Sequence, residues 1–208
     1  MLPITSYLVS FFLLTSCTVG AMDTKKTVTL HDKTFQLSIS RETIEARIKE
    51  LGKKITEEYK NAEKPLIFIG VLRGGFMFLS DLVKAVDLAC EVDFVQVASY
   101  HNTTHSSGTI QVLKALSNDI TNRDIIIVED IIDSGLSMQF LRELLLQSNP
   151  RSIRIAALLD KQISSLDFPI DYVGFTIAPE FVVGYGLDYA QLGRNLPAIY
   201  TLVQYDTI

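Results

Sequence analysis

Apolar residues recur along this chain in two rhythms. After Ser40, the residues Ile44, Ile48, Leu51 and Ile55 follow at three- to four-residue steps, with Arg, Glu and Lys between them. That spacing predicts an amphipathic helix capped by Ser40 and ending near Asn61. Pro65 then introduces Leu66-Ile-Phe-Ile-Gly-Val71, an apolar run of strand length without alternation. Such a run predicts a strand buried on both faces, as in a parallel sheet. Phe78, Leu79, Leu82, Val83 and Val86 return to helical spacing. Residues 91–99, 124–128, 153–159 and 172–177 read as strands, and Leu141, Leu144 and Leu145 mark another helix. Residues 101–109 are polar and aperiodic, which predicts an exposed, mobile loop. There is no internal repeat and no linker long enough to divide this body. Alternating strands and helices predict an α/β fold, with a mostly parallel sheet flanked by helices. In such folds ligands bind beyond the carboxyl ends of the strands.

The first 21 residues follow neither rhythm. No charged side chain precedes Asp23, and Tyr7–Leu14 is a short apolar run. Leu14-Thr-Ser-Cys17 resembles a lipoprotein cleavage box, which would mean export and lipid attachment at Cys17. No Lys or Arg precedes the run, as a secretory signal normally requires. It is also short of the roughly 20 apolar residues of a membrane span. Met22 is therefore the working start. Residues 1–21 are set apart as an apolar leader, and the expected domain is 22–208.

Composition narrows the function. Of 208 residues 48% are hydrophobic and 21% charged, an ordinary globular balance that excludes a disordered chain. Nineteen basic against 24 acidic side chains give a net charge of −5, the wrong sign for a general nucleic-acid clamp. Phosphate binding survives this balance, because backbone amides and a few placed cations hold an anion. The two cysteines, Cys17 and Cys90, form no metal-type cluster, which points to a reducing compartment. His101 and His105 are four apart, but their segment is not a helical pattern, so solvated loop residues are expected.

One stretch concentrates the chemistry: Ile127-Val-Glu-Asp-Ile-Ile-Asp-Ser-Gly-Leu-Ser137. A buried strand delivers Glu129 and Asp130, and a turn carries Asp133, Ser134, Gly135 and Ser137 into a helix. Gly135 lets the backbone bend closely around an anion. Helix-start amides and the helix dipole favour a phosphate there, and the two serine hydroxyls can donate to it. Glu129 and Asp130 would repel phosphate but suit ribose hydroxyls or Mg²⁺. Phosphate beside paired carboxylates suggests a ribose phosphate. The plainer reading is a well-capped turn built from Asp and Ser, which leaves three acidic residues at a strand end unexplained.

This motif resembles the phosphoribosyl-pyrophosphate loop of the type I phosphoribosyltransferases. Leu72-Arg73-Gly74-Gly75 resembles that family's pyrophosphate loop, where a cis peptide is common. Ser99-Tyr100 resembles the start of its catalytic flap. Leu159-Asp-Lys161, Glu180-Phe-Val-Val-Gly-Tyr-Gly-Leu-Asp-Tyr189 and Arg194 resemble the purine-binding hood of the hypoxanthine-guanine branch. The likeness runs in order from about residue 27 to 205. It implies the type I fold, with a small C-terminal hood formed mainly by residues 160–208.

The resemblance also implies roles. Asp133, Ser134, Gly135, Leu136 and Ser137 would cradle the ribose 5′-phosphate, with Asp133 also the acid or base near the purine N7. Glu129 and Asp130 would hold the ribose hydroxyls and Mg²⁺, and Asp188 would bind a second Mg²⁺. Arg73, Gly74 and Arg194 would contact pyrophosphate; many relatives carry Lys at the position of Arg73. Lys161 would donate to the 6-oxygen of the purine, Phe181 would stack on its face, and Val182 would offer backbone groups to its edge. Tyr100 would close over the site. Taken singly, Lys161 reads as a loop charge and Phe181 and Val182 as core. The implied reaction is purine salvage: phosphoribosyl pyrophosphate with hypoxanthine or guanine gives IMP or GMP and pyrophosphate. The implied partners are these small molecules, without nucleic acid or stable membrane association, in a cytoplasmic homodimer or homotetramer. Two rival readings remain. One is an RNA-binding regulator on the same fold, for which no Lys/Arg cluster stands out. The other is an exported, nucleotide-binding lipoprotein anchored through Cys17.

Overall fold

The structure is a computed structural model, and it describes residues 25–100, 109–164 and 166–203. The leader, Cys17 and both His101 and His105 lie outside the described residues. A hairpin comes first, β1 (Thr27–Leu30) and β2 (Lys33–Ile39), followed by helix α1 (Arg41–Tyr59). The Ser40 hydroxyl accepts the Thr43 amide at 3.3 Å, so the expected cap is the observed one. Ile44, Ile48, Leu51 and Ile55 form the buried stripe of α1.

β3 (Leu66–Leu72), α2 (Phe76–Ala85), β4 (Cys90–Tyr100) and β5 (Thr109–Lys114) follow. Then come β6 (Asp124–Ile132), α3 (Leu136–Leu146), β7 (Ser152–Asp160) and β8 (Tyr172–Thr176). These six strands form one sheet in the order β5-β4-β3-β6-β7-β8. All neighbours pair in parallel except β4 and β5. The mostly parallel sheet is thus as expected.

Its unbroken apolar strands are explained by two cores. Leu66 and Phe68 of β3 pack with α1 and α2, whereas Ile67, Ile69 and Val71 join Met138, Leu141 and Leu145 of α3 on the other face. Ile126 and Val128 of β6 face the first core, and Ile125 and Ile127 the second. Full burial of one such side chain stabilises by about 2 kcal/mol. Gly70 of β3 lets α2 approach, since a Cβ there would lie 2.6 Å from Leu79 Cδ2.

A smaller sheet of order β1-β2-β10-β9 completes the fold, with β9 (Val182–Val183) and β10 (Ile199–Leu202). It encloses its own core of Phe35, Val183, Ala198 and Tyr200. The hood therefore draws two of its four strands from the N-terminal hairpin, beyond the 160–208 segment expected to form most of it. Among the described residues, no helix is long and apolar enough to cross a membrane.

Candidate active site

The carboxyl ends of β3, β6 and β7 bring the first set of predicted residues together. β6 runs on through Ile132, so Glu129 and Asp130 are strand residues. Asp130 is buried and Glu129 partly so. Burial pushes the Glu129 carboxyl well above the ordinary glutamate range, and the neighbouring Asp130 carboxylate adds to the effect. The Asp130 carboxylate accepts the Ile131 amide at 3.0 Å. It also lies against Gly74: a Cβ on that glycine would sit 1.5 Å from Asp130 Oδ2. Only glycine fits there, so the turn after β3 and the acidic end of β6 form one surface.

The turn after β3 contains a cis peptide between Leu72 and Arg73. Gly74 and Gly75 are buried, and Arg73 is exposed. The Gly75 amide donates to the Val71 carbonyl at 3.1 Å, which closes the turn before α2.

After β6 the chain turns through Asp133, Ser134 and Gly135 into α3. Gly135 has φ 82, in the left-handed region that glycine tolerates best. A Cβ there would also lie 2.8 Å from the Leu166 side chain. The N-cap residue Gly135 has no side chain to cap the helix start; the Leu136 amide makes only a long bond, 3.5 Å, to the Ser134 hydroxyl, and the next amides of the first turn have no partner within the helix. A cleft of about 110 Å³ opens here, lined by Glu129, Asp133, Ser134, Gly135 and Ser137. Leu136 is 60% exposed at its rim. A helix start, two hydroxyls and a glycine turn in one cleft can receive a phosphate dianion.

Lys161, directly after β7, is largely buried and donates from Nζ to Asp133 Oδ2 at 2.7 Å. This ion pair joins the phosphate turn to the segment that leads into the hood. It sets one donor and one acceptor side by side at the mouth of the cleft.

The hood supplies the rest. Phe181 is 47% exposed, an unusual state for a large aromatic ring. It packs edge-on against Tyr189, at 5.9 Å between ring centres, and Phe35 of β2 supports both. Val182 is buried in β9 and pairs with Thr201. Arg194 donates from Nη1 to the Gly186 carbonyl at 2.7 Å, and its Nη2 meets Asp188 Oδ1 at 2.5 Å. Asp188 Oδ2 accepts the Gln191 amide at 2.8 Å. Gly186 has φ 103, and a Cβ on it would lie 2.2 Å from the Gly74 carbonyl oxygen. The segment bearing Asp188 and Arg194 thus rests on the turn after β3.

Ser99 and Tyr100 end β4, and their side chains lie outside the described residues. Among the described residues, no three His, Cys, Asp or Glu side chains converge as a metal cage, so Glu129, Asp130 and Asp188 do not form one. The adjacent carboxylates of Glu129 and Asp130 nonetheless fit Mg²⁺, which takes one or two carboxylates and completes its shell with water and substrate oxygens. A cation there would also relieve the repulsion that raises Glu129. Sequence reasoning missed Asp81, whose bond to Tyr185 joins body and hood, and Phe35, which supports the exposed rings within the hood; neither belongs to a motif that signals a contact across the chain.

Comparison with known proteins agrees with this geometry. A family model described as phosphoribosyl transferase domain matches residues 39–190. The hypoxanthine phosphoribosyltransferase of Salmonella typhimurium is 44% identical over 174 residues, covering 83% of this chain and 98% of the relative. The hypoxanthine-guanine phosphoribosyltransferase of Staphylococcus epidermidis is also 44% identical, covering 83% and 96%. The crystal structure of a hypoxanthine phosphoribosyltransferase from Staphylococcus aureus superposes with a TM-score of 0.76 at 43% identity, covering 81% of this chain and 91% of that one. A chain that shares their sequence at this level and their fold belongs to the hypoxanthine(-guanine) phosphoribosyltransferases of the phosphoribosyltransferase family.

Proposed function

We propose that this enzyme performs purine salvage by transferring the 5-phosphoribosyl group from phosphoribosyl pyrophosphate to N9 of hypoxanthine or guanine. The products are IMP or GMP and pyrophosphate. The observation that carries the reading is the Asp133–Lys161 pair. A 6-oxopurine presents an acceptor, O6, next to a donor, the N7 proton. Lys161 and Asp133, side by side at 2.7 Å, would offer the complementary donor and acceptor. Adenine would present an amino group to the Lys161 ammonium, donor against donor.

Position supports the remaining roles in this reading. The turn of Asp133, Ser134, Gly135, Leu136 and Ser137 receives the ribose 5′-phosphate through amides and hydroxyls. Glu129 and Asp130 would hold the ribose hydroxyls and one Mg²⁺, and Asp188 would hold a second Mg²⁺. Bound Mg²⁺ supplies neutralisation of charge on the pyrophosphate oxygens. The Arg73-Gly74 turn and Arg194 bind the leaving pyrophosphate. Phe181 stacks on the purine, and the backbone at Val182 meets its edge.

In the reaction N9 attacks C1′ while the C1′–oxygen bond to pyrophosphate breaks. The N7 proton passes to Asp133, and the bond pair of the leaving group goes to pyrophosphate. Lys161 holds O6 throughout, and Tyr100, at the end of β4, closes over the site and excludes water that would hydrolyse the activated sugar. Incubation with phosphoribosyl pyrophosphate, Mg²⁺ and hypoxanthine tests the reading. IMP and pyrophosphate in equal amounts are expected; ribose 5-phosphate without IMP would contradict it.

The substrate is a cytosolic metabolite, which supports a cytoplasmic location. Intact mass from the native host tests this, and lipid on Cys17 would contradict it. Assembly as a homodimer or homotetramer is tested by light scattering.

A further inference from the structure

Hood and body meet at a buried phenol that belongs to neither the phosphate turn nor the purine platform. Tyr185 lies between Gly184 and Gly186, and all three have left-handed φ, at 49° for Tyr185 and 99° and 103° for the glycines. A non-glycine residue in that region is strained, so something must hold it. Its side chain is only 5% exposed and is part of the larger core. Its hydroxyl donates to Asp81 Oδ2 at 2.5 Å. Burial and the Asp81 carboxylate raise the phenol far above its ordinary range, so the donor keeps its proton.

Asp81 stands on α2, the helix that starts at the turn after β3. Its other oxygen pairs with Lys84 at 2.6 Å. The Tyr185–Asp81 bond therefore ties the helix behind the Arg73-Gly74 turn to the hood segment in front of it. From Tyr185 the linkage is short. The Tyr185 amide donates to the Leu196 carbonyl at 2.8 Å, and the Gly186 amide to the Arg194 carbonyl at 2.9 Å. Gly186 rests on Gly74, and its carbonyl receives the Arg194 guanidinium.

We infer that the Asp81–Tyr185 bond sets the distance between Arg194 and the turn after β3, making Tyr185 and Asp81 positioning residues for pyrophosphate. This rests on the reading that Arg194 and Gly74 bind pyrophosphate. Neither residue touches substrate. Losing the bond lets the Gly184–Gly186 turn lift from Gly74, and Arg194 moves with it. The purine platform of Phe181 and Tyr189 is supported separately, by Phe35, and stays in place.

The test is the reverse reaction, IMP and pyrophosphate with Mg²⁺, measured on the full chain. Tyr185→Phe keeps the ring and removes the donor. Asp81→Ala removes the acceptor from a partly exposed helix position and serves if the first variant fails to fold. Both are expected to raise KM for pyrophosphate roughly tenfold, with KM for IMP within about twofold of wild type. Asp81→Asn keeps an oxygen acceptor and should restore KM for pyrophosphate. Unchanged KM for pyrophosphate in Tyr185→Phe or Asp81→Ala, or an equal rise for IMP and pyrophosphate, would overturn the inference and leave the bond a purely structural one. Arg194→Ala separates the two levels. If it leaves KM for pyrophosphate unchanged, the placement of pyrophosphate itself fails.

Discussion

Asp133 has two places in the site: it stands in the turn after β6, and it pairs with Lys161. The exchange Asp133→Asn keeps the shape and removes the proton acceptor. Turnover is expected to fall roughly 10²-fold, while KM for phosphoribosyl pyrophosphate changes less than about threefold. Steady-state kinetics decide, and undiminished turnover would remove Asp133 from proton transfer. Glu129 gives a prediction about stability. Its folded pKa is raised by burial and by Asp130. Such an acid costs nothing when both states are protonated, below the ordinary glutamate value. The cost grows as pH rises above that value and is complete above the raised folded one. Glu129→Gln is therefore expected to raise Tm more at pH 8 than at pH 4, while lowering turnover, the usual conflict between stability and function. Thermal unfolding at the two pH values checks the sign.

The strands of the parallel sheet were legible because burial on both faces leaves an unbroken apolar run. The observed bounds of β3, β6 and β7 overshoot the expected ones by only a few residues, where polar site residues such as Glu129 and Asp160 take over. The turn after β6 was legible for the opposite reason: Asp, Ser and Gly after an apolar run mark a bend from strand into helix. The β1–β2 hairpin was not. Its strands are partly exposed, β1 has only four residues, and β2 pairs with β10 some 160 residues away, so no local rhythm marks them. The Asp81–Tyr185 bond escaped for the same reason, since its partners are 104 positions apart. Between elements, Asp124 at the start of β6 accepts from Arg151 and from the Ser152 hydroxyl at the start of β7. Hydrogen bonding to Arg151 is the main cause that lowers the Asp124 pKa. Its stabilisation is present above the ordinary aspartate value and is lost as pH falls through the lowered folded value. Asp124→Ala should cost about 2 kcal/mol at pH 7 and flatten the acid limb of the stability curve. Urea titrations at pH 7 and pH 3 measure both; an equal cost at the two values would contradict the assignment.

For the molecule as a whole, a net charge of −5 has to be reconciled with a phosphorylated substrate. The proposed roles reconcile the two by division of labour: the cleft after β6 would offer amides and hydroxyls to phosphate, Arg194 would serve the pyrophosphate end, and the carboxylates of Glu129 and Asp130 would be left for ribose and Mg²⁺. Two sheets contribute, and the contacts of Gly74 with Asp130 and of Gly186 with Gly74 hold them in one frame. On the proposed function, selectivity for the base would rest on one small feature, the donor and acceptor set side by side by Lys161 and Asp133. The most direct measurement is kcat/KM for hypoxanthine, guanine, xanthine and adenine with phosphoribosyl pyrophosphate and Mg²⁺. The 6-oxopurines hypoxanthine and guanine are expected to exceed adenine by about 10³-fold or more. Adenine used as well as hypoxanthine would contradict the account.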